Sequence, residues 1–214
     1  MIKGIFFDVG GTLCKSPDNK KPSFKKILAN LTHRPATDFN VKKQNYLWTS
    51  SLSKKELILR LCRDLKIDDW EALYKILSTY SCEVSLYKDV KPCLEKLSAK
   101  YKLGILSNTT PWTALDHHGL QIDRYVKISV LSCAVKAAKP DIKIFNHAQE
   151  ITGLGAQELL YVGDSFEYDV KPALKAGWKA VLLSRDKKNQ ESPVPVIFDL
   201  FGLEEVLSGF NSIL

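Results

Sequence analysis

Apolar positions along this chain fall into two regimes. Ile5-Phe6-Phe7 forms a short continuous apolar run near the start. Similar runs recur after residue 87: Leu103-Gly104-Ile105-Leu106, a stretch around Val126 to Val130, Leu159-Leu160-Tyr161-Val162-Gly163, Ala180-Val181-Leu182-Leu183, and a last one around Val196. Short apolar runs bounded by polar or glycine-containing breaks read as buried strands. Between them the spacing becomes helical: Val90, Leu94 and Leu97; a helix near Thr113 to Leu120; Ile142, Ile144, Phe145 and Ala148 after Pro140; Asp169 to Lys175; and a final helix around Leu207. Strands alternating with helices predict an α/β fold, a Rossmann-like parallel sheet covered by helices on both faces.

The stretch from Cys14 to Leu86 carries no convincing strand. Lys15-Ser16-Pro17-Asp18-Asn19-Lys20 reads as a polar turn, and helical periodicity then runs through most of the next seventy residues. Two helix starts are legible as capping patterns: Ser53 with Glu56 before Leu57, Ile58, Leu61 and Leu65, and Asp68 with Glu71 before Leu73, Ile76 and Leu77. Tyr46, Trp48 and Trp70 read as aromatics packing these helices together. Residues 1–14 and 87–214 are therefore assigned to the α/β core, and 15–86 to a small all-helical domain inserted into it.

Chemistry gathers at the ends of the apolar runs. Asp8 directly follows Phe7, with Val9-Gly10-Gly11-Thr12-Leu13 beyond it. Burying an unpaired carboxylate is expensive, whereas the carboxyl end of a parallel strand is where α/β folds collect ligands. Ser107-Asn108-Thr109-Thr110 ends a second run, Lys139-Pro140 opens a helical stretch, and Asp164-Ser165 ends a third, with Asp169 five residues on. In order, these are a candidate nucleophile, a hydroxyl donor, a cation and an acidic pair. Three neighbouring carboxylates are tolerable only around a cation, and Mg²⁺ suits an all-oxygen site. His117-His118, adjacent in sequence, do not share a helix face and carry no zinc expectation.

This ordered set spans essentially the whole chain and resembles the four signature motifs of the haloacid dehalogenase-like superfamily, whose members are mostly Mg²⁺-dependent phosphatases. The resemblance implies that Asp8 is the nucleophile of an aspartyl-phosphate mechanism. It implies that Ser107 donates to a phosphoryl oxygen, with Thr12 and Asn108 also at the substrate, and that Lys139 faces Asp8 and the transferring phosphate. Mg²⁺ would be held by Asp8, Asp164 and the backbone carbonyl of Gly10, with Asp169 direct or through water. The helical insert would be a mobile cap that selects the substrate.

One position departs from the pattern. Phosphatases of this type usually carry a second aspartate two residues after the nucleophile, as general acid and base, and here Gly10 stands there. A non-catalytic or very weak member that binds phosphorylated ligands therefore stays open. So does a 2-haloacid dehalogenase, which uses the same aspartate on a carbon–halogen bond without metal; Asp164 and Asp169 favour the metal and phosphoryl chemistry. The string from Asp8 to Thr12 also resembles the first phosphate loop of the actin and sugar-kinase superfamily. That loop should continue as a hairpin strand, but Leu13-Cys14-Lys15-Ser16-Pro17 breaks it.

Composition narrows the partners. With 214 residues, 45% hydrophobic and 26% charged, the chain has an ordinary globular balance. Its net charge of +7 is spread over scattered lysine pairs, such as Lys25-Lys26 and Lys54-Lys55, without one basic block. That predicts no nucleic-acid partner but a mildly positive field that attracts a small phosphorylated metabolite. Five cysteines without a C-x-x-C pair, and Met1-Ile2-Lys3-Gly4 running straight into a strand, predict reduced thiols and a cytoplasmic protein. No apolar run approaches the roughly 20 residues of a membrane span.

Overall fold

The computed structural model describes residues 1–15, 24–38, 46–50, 52–78, 84–114, 116–187 and 191–212. The predicted polar turn beyond Lys15, Cys82, and the pairs Lys20-Lys21 and Lys42-Lys43 lie outside them.

Strand β1 (Gly4–Phe7) leads through the Asp8 loop to a two-residue strand β2 (Cys14–Lys15). Four helices follow: α1 (Phe24–Thr32), α2 (Tyr46–Thr49), α3 (Lys54–Leu65) and α4 (Trp70–Ser78). The chain returns through β3 (Ser85–Leu86) to α5 (Val90–Ser98), β4 (Lys102–Ser107), β5 (Ile128–Leu131), α6 (Ser132–Val135), α7 (Lys143–Thr152) and β6 (Leu159–Gly163). A π-helical turn (Phe166–Val170) then runs into α8 (Lys171–Lys175), followed by β7 (Lys179–Leu183), β8 (Val196–Ile197) and α9 (Leu203–Ser212).

The sheet has the order β5-β4-β1-β6-β7-β8, and every adjacent pair is parallel. Side-chain alternation along the strands divides the core in two. Ile5, Phe7, Leu103, Ile105, Leu160 and Val162 face one side with Val90, Leu94, Leu203 and Leu207 of α5 and α9. Phe6, Leu106, Leu159 and Tyr161 face the other, against Ile144, Phe145 and Ala148 of α7 and Ala173 of α8. Strands buried on both faces must be apolar throughout, which is why these segments read as continuous runs.

The helices between β2 and β3 enclose a third apolar cluster that includes Ile27, Leu28, Leu47, Ile58, Leu61 and Leu73. Trp112, in the loop after β4, packs against it, and α2 touches α6. Ser53 and Glu56 form the expected capping box on α3: the Ser53 hydroxyl accepts from the Glu56 amide, and the Glu56 carboxylate accepts from the Ser53 amide.

Several expectations are corrected. The segment near Thr113 to Leu120 forms successive turns among its described residues; the Ser129 hydroxyl accepts from the His117 amide, and the Ile122 amide reaches back five residues to the His117 carbonyl, so a regular ladder does not form. Helix α4 is capped by Asp69, whose Oδ1 accepts from the Ala72 amide, one residue later than the Asp68 pattern suggested. Strands β2 and β3 pair antiparallel, Cys14 with Leu86 and Lys15 with Ser85, too short to leave a period in the sequence.

Candidate active site at the strand ends

Sheet register brings three of the predicted residues together. Phe7 is level with Ile105 of β4 and Val162 of β6. One step further along, the Asp8 amide still donates to the Val162 carbonyl at 2.9 Å. Ser107 and Asp164 therefore end the two strands flanking Asp8, at the same edge of the sheet. This is the point where the chain's crossovers diverge, since β4 lies on one side of β1 and β6 on the other.

Lys139 arrives from the turn before α7. The helix begins only at Lys143, so Lys139 is not at the helix start itself. Its ammonium donates to Asp8 Oδ1 at 2.6 Å, to Asp169 Oδ1 at 2.5 Å and to the Tyr161 hydroxyl at 2.8 Å. Three donors thus meet three acceptors, which is what a 5% exposed ammonium requires. Burial opposes its charge, but the carboxylates of Asp8 and Asp169 outweigh burial and hold its pKa above the ordinary lysine value. Asn108 fixes the segment from behind: its side-chain amide donates to the Lys139 carbonyl at 2.8 Å and accepts from the Lys139 amide at 2.7 Å.

The carboxylates are not equivalent. Asp8 is buried, and desolvation raises its carboxyl to about 6 even though Lys139 opposes the shift; Asp169 and Asp164 add to it. Asp169, 1% exposed, uses its second oxygen to accept from the Ser165 amide at 2.9 Å. Asp164 faces solvent, and its carboxyl is also raised, by desolvation and by Asp169. Two glycines make room for them. A Cβ on Gly163 would fall 2.4 Å from the Asp169 carboxyl carbon, and one on Gly11, whose φ is +78°, would fall 2.1 Å from Asp164 Oδ2.

The carboxylates of Asp8, Asp164 and Asp169 each place an oxygen within 4.8 Å of the others. One ammonium among three carboxylates leaves a net deficit of positive charge, and all the donors are hard oxygens, so the site fits a divalent cation such as Mg²⁺. Gly10 lies exposed beside it, and a Cβ there would meet no atom within 4 Å.

Two predicted substrate contacts are placed differently. Thr12 is fully buried, out of reach of a ligand in this conformation, and its carbonyl accepts from Arg185. Asn108 spends its side chain on the Lys139 backbone, which makes it a brace for the cation. Ser107 is 8% exposed at the end of β4. Two further residues left no motif. Tyr161 lay hidden in a strand read as core; its hydroxyl donates to the Leu106 carbonyl at 2.8 Å and so turns a lone pair towards Lys139. A phenol in a fully buried strand was the available signal. Arg185 follows β7 in what reads as an ordinary polar loop.

Comparison with known proteins agrees with this architecture. The profile of the haloacid dehalogenase-like hydrolases matches residues 5–183. A glyceraldehyde 3-phosphate phosphatase of Methanothermobacter thermautotrophicus is 26% identical over 97% of this chain and 100% of its own length. The chain spans less than half the length of two other curated relatives that it matches over about half of its own. Among solved structures, a 2-haloacid dehalogenase from Pseudomonas syringae pv. Tomato superposes with a TM-score of 0.70 at 19% identity, covering 98% of this chain and 100% of that one. An enzyme of the same family from Bacteroides thetaiotaomicron, in complex with magnesium and inorganic phosphate, superposes with a TM-score of 0.65 at 20% identity over 90% of this chain and 98% of that one. The six-stranded parallel order, the charged strand ends and the match over most of its length agree: this chain belongs to the haloacid dehalogenase-like hydrolases.

Proposed function

We propose that the protein is a Mg²⁺-dependent phosphatase of small phosphorylated metabolites that works through an aspartyl-phosphate on Asp8. Residues 1–14 and 87–214 form its hydrolase core, and residues 15–86 its cap. The observation that carries the reading is the position of Asp8: one oxygen is pinned by the Lys139 ammonium at 2.6 Å, within a group of three carboxylates whose charge calls for a divalent cation. The phosphatase relative supports the substrate class.

In this reading Asp8 Oδ2 attacks phosphorus, and the bond from phosphorus to the leaving oxygen breaks with its electron pair going to that oxygen. Water then attacks the phosphorus of the aspartyl-phosphate, and the bond from phosphorus to Asp8 Oδ2 breaks with its electron pair returning to the Asp8 carboxylate. Hydrogen phosphate leaves, and the second proton of the water balances the one taken up by the leaving oxygen. Lys139 fixes the Asp8 rotamer and offsets its charge, and Ser107 donates to a phosphoryl oxygen. Asp8, Asp164 and the Gly10 carbonyl would hold Mg²⁺, with Asp169 beside them, and the ion when bound supplies charge stabilisation for the phosphoryl oxygens. Trp112, seated against the apolar cluster of the helices, supports a cap that closes over this edge.

Phosphate release from a panel of phosphorylated metabolites, with and without Mg²⁺, tests the reading. Wild type should require Mg²⁺, and Asp8→Asn, which keeps the shape but removes the nucleophile, should lose release altogether while keeping its fold. Retained turnover in Asp8→Asn would exclude the covalent route. Calorimetric titration of Mg²⁺ should show binding to wild type and its loss in Asp164→Asn; equal affinity in both would move the metal elsewhere. Gly10 favours a second reading, a member that binds phosphate ligands without turning them over, and phosphate binding with no release from any substrate in the panel would select it.

A further inference from the structure

We propose that Arg185 is a positioning residue that pins the loop carrying Asp8 to the two connections of the helical segment, so that any movement of that segment pivots beyond residues 13 and 87. Arg185 lies two residues past the end of β7, and the Ser184 amide before it donates to the Ile197 carbonyl at 2.8 Å, so its base is fixed to the sheet. Its guanidinium converges on two segments far apart in sequence. Nε and Nη2 both donate to the Thr12 carbonyl, at 3.0 and 2.6 Å, and Nη1 donates to Asp89 Oδ2 at 3.0 Å. The same plane lies 3.7 Å from the Tyr87 ring centroid. Asp89 Oδ2 also accepts from the Leu200 amide at 2.7 Å, which ties it to the core.

These partners sit at the root of the insertion. Thr12 is four residues after Asp8; Tyr87 and Asp89 follow directly on β3. Above the guanidinium the two connections are joined by the Tyr87 amide donating to the Leu13 carbonyl at 3.0 Å, then by the Cys14–Leu86 and Lys15–Ser85 pairs. The side chains of Arg185 and Asp89 are 14% and 7% exposed, so these charge-assisted bonds are largely shielded from water. A planar fork reaches a carbonyl, a carboxylate and an aromatic face at once, which a lysine ammonium cannot do. A cavity of about 240 Å³ beside it, lined also by Gly11 and Asp164, places the pin next to the carboxylate site.

The proposal rests on the hydrolase reading for its catalytic consequence, but its first test does not. Backbone hydrogen exchange of metal-free protein is compared for wild type, Arg185→Lys, Arg185→Met and the surface control Arg124→Met. In Arg185→Met, exchange at the Tyr87 and Leu200 amides should rise at least about ten-fold, as expected for opening set by one hydrogen bond. The Asp8 amide, held by β6, should stay protected, Arg185→Lys should fall between, and Arg124→Met should match wild type. If the methionine variant fails to fold, the lysine variant decides by the same localised pattern. Unchanged exchange at Tyr87 and Leu200, or an equal rise across the whole sheet, overturns the proposal. Where turnover is measurable, kcat of Arg185→Lys should fall about ten-fold with KM within about two-fold, because the loop and not the substrate loses its support; a change in KM alone also overturns it. Absence of turnover in wild type defeats the phosphatase reading and leaves the exchange result standing.

Discussion

In the strand-end site, Asp8, Lys139, Asp164 and Asp169 stand over the centre of the sheet, held in place by strand register and by hydrogen bonds to one ammonium. In the helical segment, Ile27, Leu28, Leu47, Ile58, Leu61 and Leu73 fill an apolar cluster closed by helix caps and a few aromatics. The first region concentrates like charge that the fold alone does not neutralise; the described residues of the second mainly bury apolar surface. Changes in the first should therefore register in chemistry and metal binding, and changes confined to the caps and apolar cluster of the second mainly in stability.

The largest effect should come from restoring a carboxylate at position 10. Nothing lies within 4 Å of a Cβ at Gly10, and its φ is outside the left-handed range, so the loop accepts an aspartate. Gly10→Asp should raise turnover of alkyl phosphates by about 10²–10⁴-fold, the usual worth of general acid–base catalysis. In wild type, rates should rise steeply as the pKa of the leaving group falls, favouring acyl and aryl phosphates. No gain in a folded, Mg²⁺-binding variant would mean that another group already protonates the leaving oxygen.

Next in size is the loss of the ammonium. Lys139→Met leaves Asp8 and Asp169 facing each other without their cation in a buried site and should destabilise the fold by about 3–5 kcal/mol. Urea unfolding should show part of that loss recovered by added Mg²⁺. An unchanged midpoint would mean that the pair contributes nothing to stability.

Proton competition sets the third. With the Asp8 carboxyl raised from 3.8 to about 6, protons and Mg²⁺ compete for it below that pH. Mg²⁺ affinity should fall by up to about ten-fold per pH unit as pH drops below 6. For metal-free protein the stability sign is reversed relative to a salt-bridged carboxylate. Between pH 3.8 and about 6 the folded state keeps a proton that the unfolded chain releases, so this group's contribution declines as pH rises through that window. Urea unfolding at pH 4 and pH 6.5, compared between wild type and Asp8→Asn, isolates it.

The smallest effect tests the other side of the comparison. Ser53→Ala removes the capping box of α3 and should cost about 1 kcal/mol, with Mg²⁺ affinity and kcat unchanged. A change in metal affinity would show that the helices couple to the site more tightly than their apolar packing implies.

Apolar runs and their polar ends made the α/β core and the candidates Asp8, Ser107 and Asp164 legible, because a strand buried on both faces has no choice of composition and a polar residue at its mouth stands out. Lys139 and Asp169, off the strand ends, were legible only through the order of the motifs. The Ser53–Glu56 box was legible for a related reason: capping is a contact between residues three apart. What the sequence could not decide were contacts made across long separations. Asn108 turns to the Lys139 backbone 31 residues away, the Tyr161 hydroxyl meets an ammonium 22 residues back in the chain, and Arg185 reaches Thr12 across 173. Such pairings depend on which strands become neighbours, and only the order β5-β4-β1-β6-β7-β8 brings those segments within hydrogen-bond distance.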